Sequence, residues 1–512
     1  MVGKEKIDDC LSIRNGHLFI EECDTVNLVK EYGSPIFVVS EDQLRRNIRR
    51  YKQSFEAGWS DGPVKVMPAA KASWSHAIQK IIAEEGCGCD IYSPGELAVA
   101  LESGFDPQYI SVNGVPKDDD HIENAIIKGA RITLDGIEEI DVVERIANKL
   151  NKTAMVRLRL RPTISGFRKF SDFNPTGPVA TDIAAMSYKG GMMYTQAIEI
   201  GKRIMKMKNV ELVGFHEHHG RHHQSTKYWI EQMKSYAKEI GYVCKALDGY
   251  QPREISIGGG FAGHRDPFNA ETHYSEPYQL LALHGLSILL QVFGPRIRYA
   301  VIRFIVNLMM EYVPNKKLAP TIEDYARACT SALKQYLPEN GVSTKGLMLQ
   351  MEPGRSLHGD TAIHLTTVKN AKPMDRPLIW NKYIVDTTQF WFTGGIYEHH
   401  LHDYVVANRA DEKKTEKADI VGRSCYGDRL LPFVRVPKNL KVGDIFALLD
   451  VGAYQEVSMS NFNAMPRPAT MLVSGDKISI IRRAETQEDV FRRDMIPEHL
   501  KPMKETSIHR SW

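Results

Sequence analysis

From about residue 36 to residue 355, short apolar runs alternate with amphipathic helical patterns along the chain. The strand-like runs are VKVMPA, ISVNG, MVRLRLRP, ELVGFH, EISIGGG and LMLQMEP. Strands that are separated by helices pair in parallel, because a tight hairpin cannot join them. The alternation therefore predicts a parallel sheet or an α/β barrel over this part of the chain.

Two of the helical patterns carry their own start signals. In VVSEDQLRRNI, Ser40 is a predicted N-cap with Gln43 three residues later. In IYSPGELAVALESG, Ser93 and Glu96 form a predicted capping box with Pro94 at the first helical position. Such caps satisfy backbone N–H groups that the helix itself leaves unpaired.

After residue 356 the sequence pattern changes to runs of β-branched residues and turn pairs, such as HLTTVKN and IFALLDVGAY. This pattern predicts a mostly-β domain over 356–490. We expect residues 1–38 to join that domain and residues 491–512 to form a tail. The long segment 264–320 interrupts the barrel pattern, and its length is typical of a lid or a dimer contact.

Composition excludes several classes of protein. The 66 basic and 63 acidic residues give a formal charge of +3 without long basic runs, so no nucleic-acid partner is expected. Seven scattered cysteines are not a disulfide framework, and the first residues lack the apolar core of a signal peptide. Pro295 and nearby arginines break the most apolar stretch, so no membrane span is expected either. These features predict a cytoplasmic protein.

Residues that could act in catalysis or bind a ligand follow several of the predicted strands. A single lysine, Lys71, comes after VKVMPAA, where a barrel places the group that forms a Schiff base. Three glycines, Gly258, Gly259 and Gly260, follow EISI and could let a phosphate approach backbone N–H groups. Alone, each motif is also compatible with a turn or a solvated loop.

A third motif ends the run LMLQMEPGR. It joins a carboxylate, Glu352, to a guanidinium, Arg355, that could hold a phosphate with its fork of donors. A surface turn with an incidental charge pair is the alternative interpretation of this motif.

Taken in order with VGRSCYGDRLL, VGAYQEV and SNFNAMPRP, these motifs resemble the fold type III decarboxylases that depend on pyridoxal 5'-phosphate (PLP). This family includes diaminopimelate and ornithine decarboxylases and shares its barrel with alanine racemase. The resemblance runs from YGSPIFVVSEDQL to GAYQEVSMSNFN. It implies a (β/α)8 TIM-like barrel over 39–355, a C-terminal β domain that takes in the N-terminal segment, and PLP as cofactor.

The resemblance also implies roles for single residues. Lys71 would carry PLP as a Schiff base, and Glu352 would keep the pyridine nitrogen protonated so that the ring accepts electrons from a bond to Cα. The phosphate would lie against the three glycines, Arg355 and the Tyr454 hydroxyl. Further positions match the surroundings of the cofactor ring, namely Asp90, Arg159 and His218. Ser93 and Glu96 match a family motif as well, but capping remains their leading interpretation.

Near the end of the chain, Cys425 matches the cysteine that in the family comes from the neighbouring subunit and reprotonates Cα. Asp428 would contact the substrate, and Phe462 would line its pocket. The resemblance therefore implies a homodimer whose active sites are shared across the interface.

Three positions depart from the diaminopimelate decarboxylase pattern. Tyr426 replaces a glutamate, Thr393 stands where an arginine is expected, and Arg221 replaces a serine that assists the phosphate. Losing one charged substrate contact costs roughly ten- to a hundredfold in specificity. We therefore expect a substrate other than diaminopimelate, such as a basic amino acid or an amino-acid unit of a specialised metabolite.

The stretch GFHEHHGRHH holds five histidines and raises the alternative of a metal protein. In an extended strand His216 and His218 point to one face and His219 to the other, which does not make a single metal cage, so no metal is expected. By the resemblance, His218 would stack on the PLP ring, and the other histidines have no assigned role.

Two further alternatives keep the fold: an amino-acid racemase or epimerase, and a catalytically inactive regulatory paralogue. Glu352 and Cys425 disfavour the racemase. The retained Lys71 disfavours the inactive paralogue.

Overall fold

The computed structural model describes most of the chain, and every structural statement below concerns these residues: 9–161, 189–218, 220, 224–263, 285–286, 288–309, 319–374, 380–393 and 402–500. The predicted phosphate contact Arg221 and the histidines 219, 222 and 223 lie outside them, as does most of the predicted insertion 264–320.

Eight parallel strands form the first domain and follow one another around the sheet in chain order. They are Val64–Val66, Cys89–Ile91, Ile110–Val112, Arg131–Leu134, Ala154–Leu160, Val210–Glu217, Glu254–Ser256 and Met348–Met351. The first strand pairs with the last, and a parallel bridge between Ala69 and Asp90 links the first to the second. The sheet therefore closes on itself as the predicted (β/α)8 barrel.

Helices follow the strands and cover the outside of the barrel. They are Glu41–Gly58, His76–Glu84, Pro94–Ser103, Asp119–Lys128, Glu139–Leu150, Tyr194–Ile204, Thr226–Ala246 and Ile322–Glu339, and Pro295–Met309 lies within the predicted insertion. None of the helices in the described part of the chain is long and apolar enough to cross a membrane.

Both predicted N-caps are confirmed, while the return hydrogen bond of the predicted Ser93–Glu96 capping box is made one residue earlier. The Ser40 hydroxyl accepts a hydrogen bond from the Gln43 N–H at 3.0 Å, and Ser93 accepts one from the Glu96 N–H at 3.2 Å. Glu96 in turn accepts from the Tyr92 N–H, one residue before the cap, at 2.6 Å. Because these contacts are local, the sequence alone could predict them.

The second domain is a nine-stranded mixed sheet. Its strand Ile36–Ser40 comes from the start of the chain and pairs with Ala362–Lys372 on one side and Ala469–Ser474 on the other. The remaining strands are Asn381–Val385, Tyr404–Val406, Glu416–Val421, Arg429–Val436, Ile445–Leu448 and Lys477–Arg482. Strand Ile36–Ser40 ends two residues past the predicted boundary at 38, and the first barrel helix, Glu41–Gly58, begins directly after it.

The N-terminal residues add a small sheet of their own. Its three strands are Leu11–Arg14, His17–Ile20 and Cys23–Asp24, and helix Thr25–Tyr32 follows them. An apolar cluster beneath these strands takes in residues of the second domain, such as Ile363 and Ala447. The N-terminal segment therefore packs with the β domain.

A larger apolar cluster joins the barrel strands to their helices and continues into the β sheet. Inside the barrel, the guanidinium of Arg157 is buried and approaches Glu254 at 3.9 Å. This polar layer lies on the same strand as Arg159, which is nearer the carboxyl end, so it supports the residues at the barrel mouth from below.

Candidate active site

Lys71 lies at the carboxyl end of the first barrel strand. It occupies the short 3-10 helix Ala70–Ala72, and its Nζ lies 3.3 Å from Asp90 Oδ2. The Lys71 side chain is 42% exposed, whereas Asp90 is buried. The amine is therefore held by a carboxylate and still reachable from the barrel mouth, as a Schiff-base lysine must be.

Asp90 links this lysine to the rest of the barrel mouth. Its Oδ1 accepts a hydrogen bond from Asn113 Nδ2 at 2.7 Å. Burial raises the pKa of the Asp90 carboxyl, and the positive charge of Lys71 opposes that rise. Asn113 also donates to Glu352, so one amide joins the two buried carboxylates.

Glu352 follows the last barrel strand and is 2% exposed. Its Oε1 accepts from Asn113 Nδ2 and from Ser256 Oγ, each at 3.1 Å. Its Oε2 lies 3.0 Å from His216 Nε2. A carboxylate has about four acceptor positions, so three donors still leave room for one more N–H on this group.

His216 is the donor that orients Oε2. Burial lowers the pKa of the His216 imidazole well below its usual value, and the charges of Arg159 and Arg157 lower it further. The ring is therefore neutral, and its Nε2–H donates to Glu352.

The predictions from sequence missed His216, Asn113 and Ser256 as members of the site. A signal for His216 was present, since it shares a strand face with His218. Asn113 directly follows the strand Ile110–Val112, the position where barrels place functional side chains. Ser256 ends its own strand and carried no separate signal.

His218 lies just past the end of its strand, beside the glycines that follow the next one. Its Nδ1 accepts a hydrogen bond from the Gly259 N–H at 3.1 Å. A ring nitrogen that accepts carries no proton, so the His218 ring is neutral, with its proton on Nε2. This bond fixes the ring at the barrel mouth, where its stacking on PLP stays a prediction.

The three glycines are required by their backbone surroundings. A Cβ on Gly258 would collide with the Glu217 carbonyl oxygen, and one on Gly259 with that of Glu352. Gly260 has a φ of +110°, a conformation that residues with a side chain rarely adopt. Only glycine therefore suits this turn.

Side chains of the protein already engage two of the three backbone N–H groups of this turn. The Gly258 N–H donates to Ser256 Oγ at 3.2 Å, and the Gly259 N–H donates to His218. Among the described residues, the Gly260 N–H is the one of the three that is not paired in this way. The sequence could not show this, because the competing acceptors come from side chains that the fold brings to the turn. A phosphate at this turn would therefore meet Gly260 as its first backbone donor.

Arg355 and Tyr454 bring the β domain to the barrel mouth. The Arg355 guanidinium is buried 5.4 Å from the centre of the Tyr454 ring. The Tyr454 N–H donates to the carbonyl oxygen of Ala72, next to Lys71, at 2.9 Å. Tyr454 of the β domain is therefore bound to the turn that carries Lys71, and its ring contacts the Arg355 guanidinium.

Arg159 also lies at the carboxyl end of its strand. Its Nη1 lies 3.3 Å from Asp135 Oδ2, and both side chains are buried. The predicted place of Arg159 near the cofactor ring agrees with its position at the mouth, while its charge is already paired with Asp135.

Four predicted residues, Cys425, Tyr426, Asp428 and Phe462, lie on the loops of the β domain. With Phe390 and Asn463, which the sequence did not single out, we call them the Cys425 loop cluster. Cys425 is exposed, and Asn463 Nδ2 lies 3.2 Å from its Sγ. The Phe390 ring stacks on Phe462 at 4.1 Å and meets Tyr426 edge-on at 5.8 Å. Tyr426 is 62% exposed. In the described chain, the contacts of Cys425 are with this cluster and not with Lys71.

Asp428 and Thr393 differ from these exposed residues, because both are buried. Asp428 Oδ2 accepts from the Ser424 N–H and hydroxyl, at 2.8 and 2.7 Å, and Oδ1 accepts from the Gln389 N–H at 2.7 Å. The Asp428 carboxylate therefore fastens its own loop, and the substrate contact predicted for it would require the loop to rearrange.

The barrel-mouth residues fit PLP in chemical type. Lys71 offers an accessible amine, Glu352 an acceptor for a pyridine N–H, and Arg355 a guanidinium for a phosphate. Within the described residues, no three histidine, cysteine or carboxylate side chains are arranged to hold a metal ion.

Comparisons with known proteins give the same assignment. Residues 41–284 match the family model "Pyridoxal-dependent decarboxylase, pyridoxal binding domain". The chain is 28% identical over 485 residues to a diaminopimelate decarboxylase of Methanothermobacter thermautotrophicus, covering 95% of this chain and 97% of the relative. It is 26% identical to the Staphylococcus aureus diaminopimelate decarboxylase, covering 93% and 97%. The crystal structure of the diaminopimelate decarboxylase of Methanocaldococcus jannaschii superposes with a TM-score of 0.78 at 25% identity, covering 96% of this chain and 99% of that one.

The barrel, the β domain and these matches support assignment of the chain to the fold type III, PLP-dependent decarboxylases. It is accordingly an amino-acid decarboxylase with PLP as cofactor, as its sequence motifs predicted. A lysine/ornithine decarboxylase of Vibrio vulnificus shares the fold, with a TM-score of 0.63 at 16% identity over 88% of this chain and 98% of that one.

Proposed function

We propose that the enzyme decarboxylates an α-amino acid other than diaminopimelate, in an active site completed by Cys425 of a second copy. The observation that carries this proposal is the exposed aromatic group around Tyr426. Phe390 and Phe462 lie against each other there, and Tyr426 presents a phenol where a diaminopimelate decarboxylase has a glutamate. An exposed phenol cannot pair with an ammonium group as a carboxylate does.

The proposed division of labour follows from the contacts at the barrel mouth. PLP, when bound, supplies a sink for the electrons that remain when CO2 leaves. Lys71 holds the cofactor, and Glu352, fixed by His216, Asn113 and Ser256, accepts the pyridine N–H. Cys425 then delivers a proton to Cα.

The phosphate group has its own set of proposed contacts. It lies against the turn 258–260, where the Gly260 N–H is the backbone donor that the protein leaves for it. Arg355, which follows the last barrel strand, and the Tyr454 hydroxyl of the β domain would complete the contacts, with Arg221 as a further proposed contact. A guanidinium and a backbone N–H are both common partners of phosphate.

Several site residues have supporting roles in this proposal. His218 lies against the cofactor ring, and its orientation is fixed by Gly259. Asp90 keeps the Lys71 amine directed into the barrel mouth.

The far end of the substrate meets the loops of the β domain. Phe462 and Tyr426 contact the part of the substrate that lies far from Cα. Thr393 is buried, so it makes no substrate contact of its own. It affects substrate choice because the arginine expected at this position is absent.

The substrate is tested by measuring CO2 release from a panel that includes meso-diaminopimelate, lysine, ornithine, arginine and apolar amino acids. We expect the highest kcat/KM for an amino acid other than diaminopimelate. Preference for diaminopimelate would refute the substrate proposal while leaving the family assignment intact. A racemase would release no CO2 from any member of the panel.

The shared site is tested by mixing two inactive proteins, the Lys71→Ala and Cys425→Ala variants. Random exchange of subunits would restore one intact site in each mixed dimer, up to about a quarter of the wild-type activity in an equal mixture. No recovery after subunit exchange, verified with differently tagged chains, would exclude a site built from two copies.

A further inference from the structure

We propose that Asn463 is a positioning residue that orients the Cys425 thiol and stabilises it after proton transfer. This inference rests on the proposed role of Cys425 as the proton donor to Cα. Asn463 makes two contacts with that one residue: its Oδ1 accepts from the Cys425 N–H at 3.1 Å, and its Nδ2 lies 3.2 Å from Sγ.

The chemistry of the two contacts fixes the orientation of the amide. The Cys425 N–H can only donate, so the Asn463 oxygen must face it. The amide nitrogen must then face the sulfur. Because Nδ2 carries only donor hydrogens, Sγ is the acceptor, and the S–H proton points away from Asn463. The thiol is thereby presented with its proton directed outward.

The backbone on both sides keeps this contact in place. Asn463 adopts the left-handed conformation, with φ +59° and ψ 24°, which asparagine tolerates better than most residues. The preceding Phe462 ring is stacked on Phe390. On the other side, Asp428 holds Ser424, the neighbour of Cys425.

The contact gains strength during the proposed reaction. Cys425 gives its proton to the electron pair left at Cα, so the S–H bond breaks, a C–H bond forms and the sulfur becomes a thiolate. A hydrogen bond to a charged acceptor is stronger than one to a neutral acceptor. Asn463 therefore stabilises the sulfur more after proton transfer than before it.

Two substitutions separate this role from a purely structural one. Asn463→Asp retains an oxygen for the Cys425 N–H but turns a second, negatively charged oxygen toward Sγ. Asn463→Gly tolerates the same backbone conformation and removes both contacts. If Asn463 stabilises the thiolate, its formation is hardest in the Asp variant, intermediate in the Gly variant and easiest in the wild type.

The readout is alkylation of Cys425 by iodoacetamide, followed by peptide mass spectrometry on the full-length protein, because the thiolate is the reacting species. The other six cysteines are buried, so the rapid reaction reports Cys425. At pH 8 we expect alkylation about threefold slower in Asn463→Gly and about tenfold slower in Asn463→Asp, the scale of one hydrogen bond to sulfur. The pH at which the alkylation rate begins to rise should also be higher in the Asp variant than in the wild type.

Asn15→Asp is the matched control, because Asn15 is also exposed and left-handed, with φ +51°, but lies in an N-terminal turn. It should alkylate at the wild-type rate. A merely loosened loop would expose the sulfur and speed alkylation in both Asn463 variants, and that result or an unchanged rate would overturn the proposal.

Steady-state kinetics separate this inference from the proposed function. We expect kcat for CO2 release to fall about tenfold in Asn463→Asp with little change in KM. Normal CO2 release by Cys425→Ala would instead remove the proposed role of Cys425, and with it the catalytic meaning of Asn463, whatever the alkylation rates are.

Discussion

Glu352 and Cys425 both serve the proposed reaction, but their surroundings differ. Three buried donors close around Glu352, and the glycines beside it have no room for a side chain. The side chains of Tyr426 and Phe462, close to Cys425, are exposed. The contacts at this surface are the Asn463 contact with Sγ and the stacking of the Phe462 ring on Phe390.

This contrast separates chemistry from selectivity. A change in a buried, fully connected polar network leaves some group unpaired, so such a network tolerates few substitutions. An exposed loop can change residue at little cost to the fold, which is why binding specificity is commonly carried there. The departure Tyr426 falls on such a loop, while Glu352 and Lys71, proposed to hold PLP through its ring and its aldehyde carbon, follow the motifs of the family.

The largest effect is expected from removing the Lys71 amine at the barrel mouth. In Lys71→Ala the CO2-release rate should fall by roughly a thousandfold or more, the scale of losing a covalent catalytic group. The absorbance band of the cofactor near the visible edge, which borohydride removes in the wild type, should be absent. Lys80→Ala, on an exposed face of the following helix, should retain both the band and the activity.

Glu352→Gln tests whether the charge of the buried network matters apart from its shape. The amide has nearly the same size but loses one acceptor and the negative charge, so kcat should fall roughly 10- to 100-fold, as for the loss of a charged hydrogen bond. Cofactor should still bind through Lys71, and its absorbance should be retained. Wild-type kcat in this variant would contradict the role given to Glu352.

The two regions also differed in how much the sequence could predict. Barrel strands and caps depend on local patterns, so Ser40 and Ser93 were correctly predicted as N-caps. Lys71 and Glu352 were found from ordered motifs, but Asn113 joins their surroundings across strands far apart in sequence, and no local pattern encodes such a contact.

The same limit applies to the loops and the glycine turn. The buried position of Asp428 depends on the loop returning to Ser424, which periodicity cannot predict. The motif predicted a phosphate against all three glycines, but it could not show that, among the described residues, side chains of the folded barrel already accept from the Gly258 and Gly259 N–H groups. A motif identifies residue types, but the competition for their hydrogen bonds is decided by tertiary structure.

Tyr426→Glu tests whether the exposed Cys425 loop cluster determines substrate choice. A carboxylate at this position restores the charge expected of a diaminopimelate decarboxylase, while the exposed site accommodates it without burying the charge. We expect kcat/KM for meso-diaminopimelate to rise about tenfold relative to the preferred substrate. Tyr426→Gln, of similar size and without charge, is the control and should not favour diaminopimelate. A fall in activity toward all amino acids alike would show that the ring of Tyr426 serves the loop rather than substrate choice.

The last prediction concerns stability rather than activity, in the buried wall behind His216. Glu217 and Glu239 are both buried there, and burial raises the pKa of Glu239 to about 7 and that of Glu217 well above its usual value. Between the ordinary pKa near 4.5 and about 7, the unfolded chain loses the Glu239 proton while the folded protein keeps it. This contribution to stability is therefore complete below pH 4.5 and is lost as the pH rises to about 7.

Glu239→Gln should remove that loss, because the amide keeps the neutral form at every pH. Between about pH 5 and pH 8 the unfolding free energy of the wild type should fall by about 1–3 kcal/mol more than that of the variant, measured by denaturant titration. Glu199→Gln, on the exposed face of helix Tyr194–Ile204, is the control and should follow the wild type. Parallel pH profiles for Glu239→Gln and the wild type would mean that Glu239 ionises in the folded protein as it does in the unfolded chain. The effect of burial assigned to Glu239 would then be wrong, and the contrast with the Cys425 loop cluster would be confined to the barrel mouth itself.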